Sequence, residues 1–156
     1  MATSTSSADA DETLRALLAR FTECQFSWFS TVRPDHRPHS VPIWHVVHQG
    51  RIYMATPSRS VKVANIRSNP QVQVAAYLEN PEAGLIVEGR ATLRPELRES
   101  LSPLFEKKYE WRLIEDDVHD ALIEVKPLKL IAWGQYGEGR WSESAIRRAA
   151  QSADVD

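Results

Sequence analysis

The sequence predicts a mainly β fold, an antiparallel β-barrel with flanking helices, on three observations. Short runs of strand-forming residues with period-two alternation recur along the chain, separated by turns rich in Gly, Pro, Asn and Asp. Long helices are few, and the strand–helix–strand rhythm of a parallel sheet is missing. With 156 residues, 42% of them hydrophobic, the chain can bury one core but not two comfortable ones. Residues 1–10 are expected to form a disordered leader, 11–140 the barrel, and 141–156 a C-terminal helix or tail, its last stretch from Gln151 disordered like the leader.

Each element has its own signal. Asp9 and Glu12 have capping-box spacing, and Leu14, Leu17, Leu18 and Phe21 repeat at helical spacing, so an amphipathic helix opens the domain. From Phe26 to Val32 the pattern alternates as a strand, and Arg33-Pro34-Asp35 turns it. An extended stretch from His39 to His48, a tight Gln49-Gly50 turn and a return strand from Arg51 to Thr56 complete a three-stranded meander. Ser58 is placed to cap a short helix from Arg59 to Arg67, and Asn69-Pro70 stops it. Strands follow from Gln71 to Leu78 and from Gly84 to Leu93, with Leu85 and Val87 inward. Pro95 suits the first turn of a helix with an apolar face of Leu97, Leu101, Leu104, Phe105 and Tyr109, which Pro103 should kink or split. A long strand from Ala121 to Trp133, interrupted near Pro127, is the last, giving six or so strands.

Composition narrows the function classes. A net charge of -2 with interspersed signs supplies no broad basic field for nucleic acid or anionic membrane. Cys24 is the single cysteine, which rules out an intrachain disulfide and suits a reducing, cytoplasmic setting. No apolar run reaches the length of a membrane span. The five histidines do not space as metal ligands. His45 and His48 point to opposite faces of a strand, and His39 and His45 stand about 20 Å apart along one. No metal site is expected, and no nucleophile elbow or Walker loop is present.

The most informative stretch runs from Thr56 to Asn65. Here a strand enters a short helix whose start carries Ser58, Ser60, Arg59 and Lys62. Backbone N–H groups at that start, with the two cations, suit a phosphate. The same residues also suit an ordinary capped helix with a solvated basic face. Among the five tryptophans, Trp44 and Trp133 lie in strands next to polar or glycine-rich breaks, where an indole can flank a flat ligand.

Several segments in order resemble the pyridoxamine-phosphate-oxidase-like family of FMN-binding split barrels, especially its small flavin- and deazaflavin-dependent reductases. They are Trp28-Phe-Ser-Thr-Val, Pro38-His-Ser-Val-Pro-Ile-Trp44, Ile52-Tyr-Met-Ala-Thr56, Lys62, Asn65-Ile-Arg, Asn69-Pro70 and Val87-Glu-Gly-Arg-Ala91. The resemblance covers about Leu14 to Trp133 and implies a six-stranded antiparallel split barrel of the FMN-binding type. It implies that Lys62, with Arg59 or Ser60, Val61 and nearby backbone, grips the FMN phosphate. Asn65 would support that loop or touch the ribityl chain. Val41, Pro42, Ile43 and Trp44 would lie along the flavin, and Ala55 and Thr56 along the ribityl path.

Family members hold the cofactor between two subunits, so a homodimer is implied, with Trp133 or the Gly84-Leu85 region of a second copy completing the pocket. The implied function is an FMN-binding oxidoreductase acting on a small molecule. A deazaflavin-dependent reductase is the alternative, with Arg33, Arg37 or Arg51 in a groove for an anionic tail. A non-enzymatic flavin or haem carrier is a second alternative. The segment Ser58-Arg59-Ser60-Val61-Lys62 departs from the Ser-Arg-Lys run of the oxidase itself, which disfavours pyridoxamine-phosphate oxidation.

Overall fold

The computed structural model describes residues 6–153. Its core is one curled, open antiparallel sheet of eight strands with flanking helices, more strands than the six expected. Helix α1 spans Ser7–Glu23, then come β1 (Ser27–Val32), β2 (Pro38–Ile43), β3 (Val46–His48) and β4 (Arg51–Thr56). Helix α2 is Val61–Ser68, followed by β5 (Gln71–Leu78), β6 (Asn80–Leu93) and helix α3 (Arg98–Tyr109), the last entered through a 3-10 turn at Pro95–Leu97. Strand β7 (Ala121–Trp133), strand β8 (Gly139–Ser142) and helix α4 (Glu143–Ala153) complete the fold.

The sheet order is β2-β1-β5-β6-β7-β4-β3, with β8 added on β7. This corrects the three-stranded meander. Strands β1 and β2 pair at one edge, β3 and β4 at the other, and only Trp44 and His45 join β2 to β3. Laid flat, the six strand spacings between those edges would separate them by about 29 Å. Three virtual bonds from Ile43 to Val46 reach about 11 Å at most. The chain can make that connection only because the sheet curls until its edges approach each other.

The concave side holds the main core, including Phe29, Met54, Val74, Leu85, Val87, Ile123 and Leu130, all essentially inaccessible. Helices α1 and α4 close one end of the curl with Leu14, Leu17 and Phe21 on one and Ala145, Ile146 and Ala149 on the other. On the outer side, α3 covers a second cluster of Val46, Tyr53, Ala55, Leu101, Phe105, Leu113 and Leu122. Strand β4 is therefore buried on both faces from Ile52 to Thr56.

Local details differ from the sequence reading for identifiable reasons. The first helix starts at Ser7, and Ser6, not Asp9, is its cap, with Ser6 Oγ accepting from the Asp9 N–H. The expected leader thus overlaps the helix from Ser7 onward, while residues 1–5 lie outside the described residues. Likewise α4 continues to Ala153, so only 154–156 of the expected tail lie outside them. Ser60 replaces Ser58 as the residue preceding α2. Ser58 is engaged instead with Asp120, which accepts from both its N–H and its hydroxyl at 2.8 Å.

Pro103 sits inside a continuous α3. Pro127 does not interrupt β7, because a register shift opposite Glu88 and Gly89 absorbs it. The turn at Gln49 and Gly50 has φ of 50° and 75°, the paired positive values of a tight hairpin.

Candidate functional site

Several hollows open on this scaffold, two of them of very different size. One, of about 210 Å³, is enclosed by Leu18, Phe21, Ile52, Leu130 and Ile146 under α1 and α4. The other is a cleft of about 990 Å³ lined by residues of β1, β2, the Trp44 joint, β4, the start of α2 and the end of α3 with the loop beyond it. Cofactor sites run to about 300–1,000 Å³, a range that the cleft reaches and the smaller hollow does not, while a hollow of about 540 Å³ beside Arg20, Cys24 and Glu79 lacks the cleft's aromatic side chains.

The joint between the sheet edges builds one wall. His45 is wholly buried and stacks on Phe21 at 4.3 Å. Its Nε2 lies 3.0 Å from the Phe21 carbonyl, which can only accept, so Nε2 carries the proton and Nδ1 accepts from Ser27 Oγ at 3.1 Å. Burial, and then the nearby Lys108 charge, push the His45 pKa down to about 4. The His45 backbone is clamped from α3. Lys108 Nζ donates to its carbonyl at 2.8 Å, and Tyr109 Oη accepts from its N–H at 3.0 Å. Burial also lowers the Lys108 pKa, to about 8. With the joint held, Trp44 stacks on Tyr109 at 4.4 Å, nearly parallel, and meets Trp111 edge-on. Trp44 remains 48% exposed, because its outer face looks into the cleft rather than into a core.

The opposite end is cationic. Lys62 lines the cleft in the first turn of α2 and forms no ion pair or hydrogen bond among the described residues, and burial pushes its pKa down. No side chain caps that helix start, leaving its first N–H groups available. His39 stands near enough to feel Lys62 and Arg33: burial, then those two charges, lower its pKa. Its Nδ1 is buried without a hydrogen-bond partner. An uncompensated ammonium and an uncapped helix start are what a phosphate would satisfy, while His39 does not itself line the cleft. By this test the residues present fit the phosphate end of a flavin nucleotide.

The cleft brings together Pro42, Ile43, Trp44, Ala55, Thr56 and Lys62. Val41 is the neighbour of Pro42 with the opposite strand orientation, and Arg59, Ser60 and Val61 lie on the approach to α2 without lining the cleft. Arg59 and Val61 are exposed. Asn65 is buried and donates from Nδ2 to Thr31 Oγ1 at 2.9 Å, so it anchors α2 to β1, and it does not line the cleft. Trp133 lies elsewhere, packed so closely over Gly84 that a Cβ there would meet its ring at 2.6 Å. Of the arginines considered for an anionic tail, Arg37 is paired with Asp35 and Arg51 with Glu124. The Arg33 side chain donates to the Pro38 carbonyl and has no carboxylate partner among the described residues.

Sequence reading missed Phe26, Tyr109, Trp111, Asp116 and His119 as cleft residues. Strand and helix periodicity place residues on faces, but these reach the cleft through a loop and a helix end. No local pattern singles them out, since Trp111, Asp116 and His119 lie around the short Leu113–Glu115 turn, outside any strand or α-helix.

Curled antiparallel sheet, flanking helices and an aromatic-walled cleft together define a protein of the half-barrel class. The family model for pyridoxamine 5'-phosphate oxidase matches residues 10–134, so this chain belongs to the pyridoxamine 5'-phosphate oxidase-like family of FMN-binding split-barrel proteins. Among solved structures, General Stress Protein 26 from Bacillus anthracis is 24% identical, over 85% of this chain and 98% of that one, with a TM-score of 0.64. A pyridoxamine 5'-phosphate oxidase-related, FMN-binding protein from Nostoc punctiforme is 15% identical over 90% of each chain, with a TM-score of 0.59. A protein named F420 Reductase is 22% identical over 70% of this chain and 91% of that one, at 0.60. At these identities the likeness establishes the fold alone. No curated protein matches the chain. No helix among the described residues is long and apolar enough to cross a membrane.

Proposed function

We propose that the chain binds FMN in the aromatic-walled cleft and acts as a flavin-dependent oxidoreductase on a small molecule, two copies of the chain sharing the cofactor. The observation that carries this reading is Lys62, a cation without a counter-ion at an uncapped helix start in a cleft of flavin size. Lys62, Ser60 and the backbone from Val61 would take the phosphate, with Arg59 near the approach. Ala55 and Thr56 would border the ribityl chain, and Val41, Pro42, Ile43 and Trp44 the ring. The bound flavin supplies hydride or electron chemistry. The chain supplies position, charge balance at the phosphate and an apolar wall that limits water.

The homodimer is supported by exposed aromatic surface next to the cleft. Phe26, Trp28 and Tyr77 are 49%, 44% and 57% exposed around one shallow hollow, and contiguous apolar patches of this kind mark interaction sites. Trp133, outside the cleft of its own chain, would reach a flavin only across such a dimer. Light scattering that gives a monomer with FMN bound would refute the dimer.

The first test is the absorption spectrum of the purified protein, followed by separate titrations with FMN and the deazaflavin coenzyme while tryptophan fluorescence is followed. Saturable quenching by FMN is expected, since Trp44 and Trp111 line the cleft. Response to neither compound would sink the flavin reading. Quenching by the deazaflavin alone would establish the alternative reductase. The ion pairs on Arg37 and Arg51 support FMN, because they leave only Arg33 of the three candidates without a carboxylate partner among the described residues. Bound cofactor that accepts no electrons would indicate a carrier.

A further inference from the structure

At the rim of the cleft, away from Lys62's helix, the loop between α3 and β7 holds a carboxylate–imidazole pair. Asp116 Oδ2 accepts from His119 Nδ1 and from the Trp111 indole N–H, each at 2.9 Å. Asp116 Oδ1 accepts from the Val118 and His119 backbone N–H groups, also at 2.9 Å. Four donors on two oxygens saturate this carboxylate and keep it ionised. The backbone bond from His119 is the largest cause holding its pKa down to about 2. The His119 ring also stands edge-on to Trp111 at 5.1 Å.

Because ionised Asp116 can only accept, the proton of neutral His119 resides on Nδ1. Nε2 is then a bare lone pair, without a hydrogen-bond partner among the described residues, on a ring that lines the cleft and is 41% exposed. This is how a carboxylate orients a general acid–base histidine. The other charged groups lining the cleft are Lys62 and Glu110.

We propose that His119 is a catalytic proton donor and acceptor for a second occupant of the cleft, a planar compound with a carbonyl or phenolic oxygen, and that Asp116 is its positioning residue. The proposal rests on the cleft being a ligand site, and its redox use on the flavin reading. A bound, reduced flavin would supply hydride to the compound's carbonyl carbon, and His119, first protonated at Nε2 by solvent, would give that proton to the carbonyl oxygen. The N–H bond breaks with its electron pair left on Nε2, an O–H bond forms, and Nδ1 keeps its proton on Asp116. Solvent at the rim restores the proton to Nε2.

The test uses nitrogen NMR of the histidine rings in the full chain, with 4-hydroxyacetophenone as the probe. The wild type is expected to show the Nδ1–H tautomer at His119, and its ring signals are expected to shift on titration. Asp116→Asn offers Nδ1 a donor in place of an acceptor and is expected to move the proton to Nε2. His119→Phe keeps the ring packing on Trp111 and is expected to weaken probe binding about tenfold, one lost hydrogen bond. An Nε2–H tautomer in the wild type, or His119 signals unmoved up to the probe's solubility limit, would overturn the proposal. Parallel FMN titration separates the two readings: a chain that ignores FMN but moves His119 with the probe loses the flavin, not the histidine.

Discussion

The concave interior of the sheet and its outer side under α3 are both buried, yet they are built for different ends. Inside, the fully buried side chains are aliphatic or phenyl groups such as Phe29, Met54, Leu85 and Ile123. The outer side mixes apolar residues with charge. Glu124, only 4% exposed, accepts from Arg51 at 2.6 Å and Tyr53 at 2.9 Å and lies 3.4 Å from Arg94. Burial pushes the Glu124 pKa up, but Tyr53, Arg51 and Arg94 outweigh it and leave the carboxyl below its usual range. Tyr53 rises to about 12, mainly through burial and then through that carboxylate. The cleft opens on this polar side. One region secures the fold, and the other combines burial with charges that can be placed against a ligand.

The sharpest way to break this contrast is to truncate one aromatic in each region. Phe29→Ala in the interior should cost about 3–5 kcal/mol in urea unfolding. Trp44→Ala in the cleft wall should cost under about 1 kcal/mol of stability, as for a half-exposed residue, while reducing FMN quenching. Similar stability losses for the two would erase the distinction.

Next in size is a pH effect at the seam between the regions. His45 has its pKa lowered from 6.5 unfolded to about 4 folded. Between those values the unfolded chain binds the extra proton, so stability rises with pH. The contribution is complete above pH 6.5 and is lost as pH falls toward 4, on the order of 3 kcal/mol. The stability–pH curve of His45→Gln should lack that slope, and curves parallel to the wild type's would show that the buried imidazole does not set it.

A smaller change is expected at the cation. Lys62→Met should weaken FMN binding about ten- to a hundredfold, the range for hydrogen bonds to a charged group, without lowering the unfolding midpoint. A lower midpoint with unchanged FMN affinity would make Lys62 a structural residue. The smallest effect belongs to Tyr53→Phe, which removes one donor from a Glu124 that keeps Arg51 and Arg94. About 1 kcal/mol of stability should be lost, measurable by thermal unfolding.

Much of the fold was legible along the chain. Alternation in Gln71–Leu78 and Gly84–Leu93 specifies a face because a strand offers only two, and the Gln49-Gly50 turn needs the positive φ it adopts. The break at Trp44–His45 was not legible, since His39 to His48 reads as one extended run. Ser58 looked like a helix cap because its local context is that of one, and Asp120, 62 residues away, redirected it.

The site divides along the same line. Pro42, Ile43, Trp44, Ala55, Thr56 and Lys62 follow from family motifs on adjacent elements, while Asn65 was drawn into the α2–β1 contact by Thr31. His119 and Asp116 were invisible, because a loop residue acquires chemistry from whatever the fold brings opposite it.

The sequence by itself determined the antiparallel class, the interior face of most strands, the helix that lids the curl and the family, all of which depend on local periodicity and ordered motifs. Only the tertiary structure decided which edges the Trp44–His45 joint connects, which unpaired cation lines the cleft and which histidine faces it. Those properties belong to pairs of residues far apart in the chain, and no local pattern encodes a distance between them.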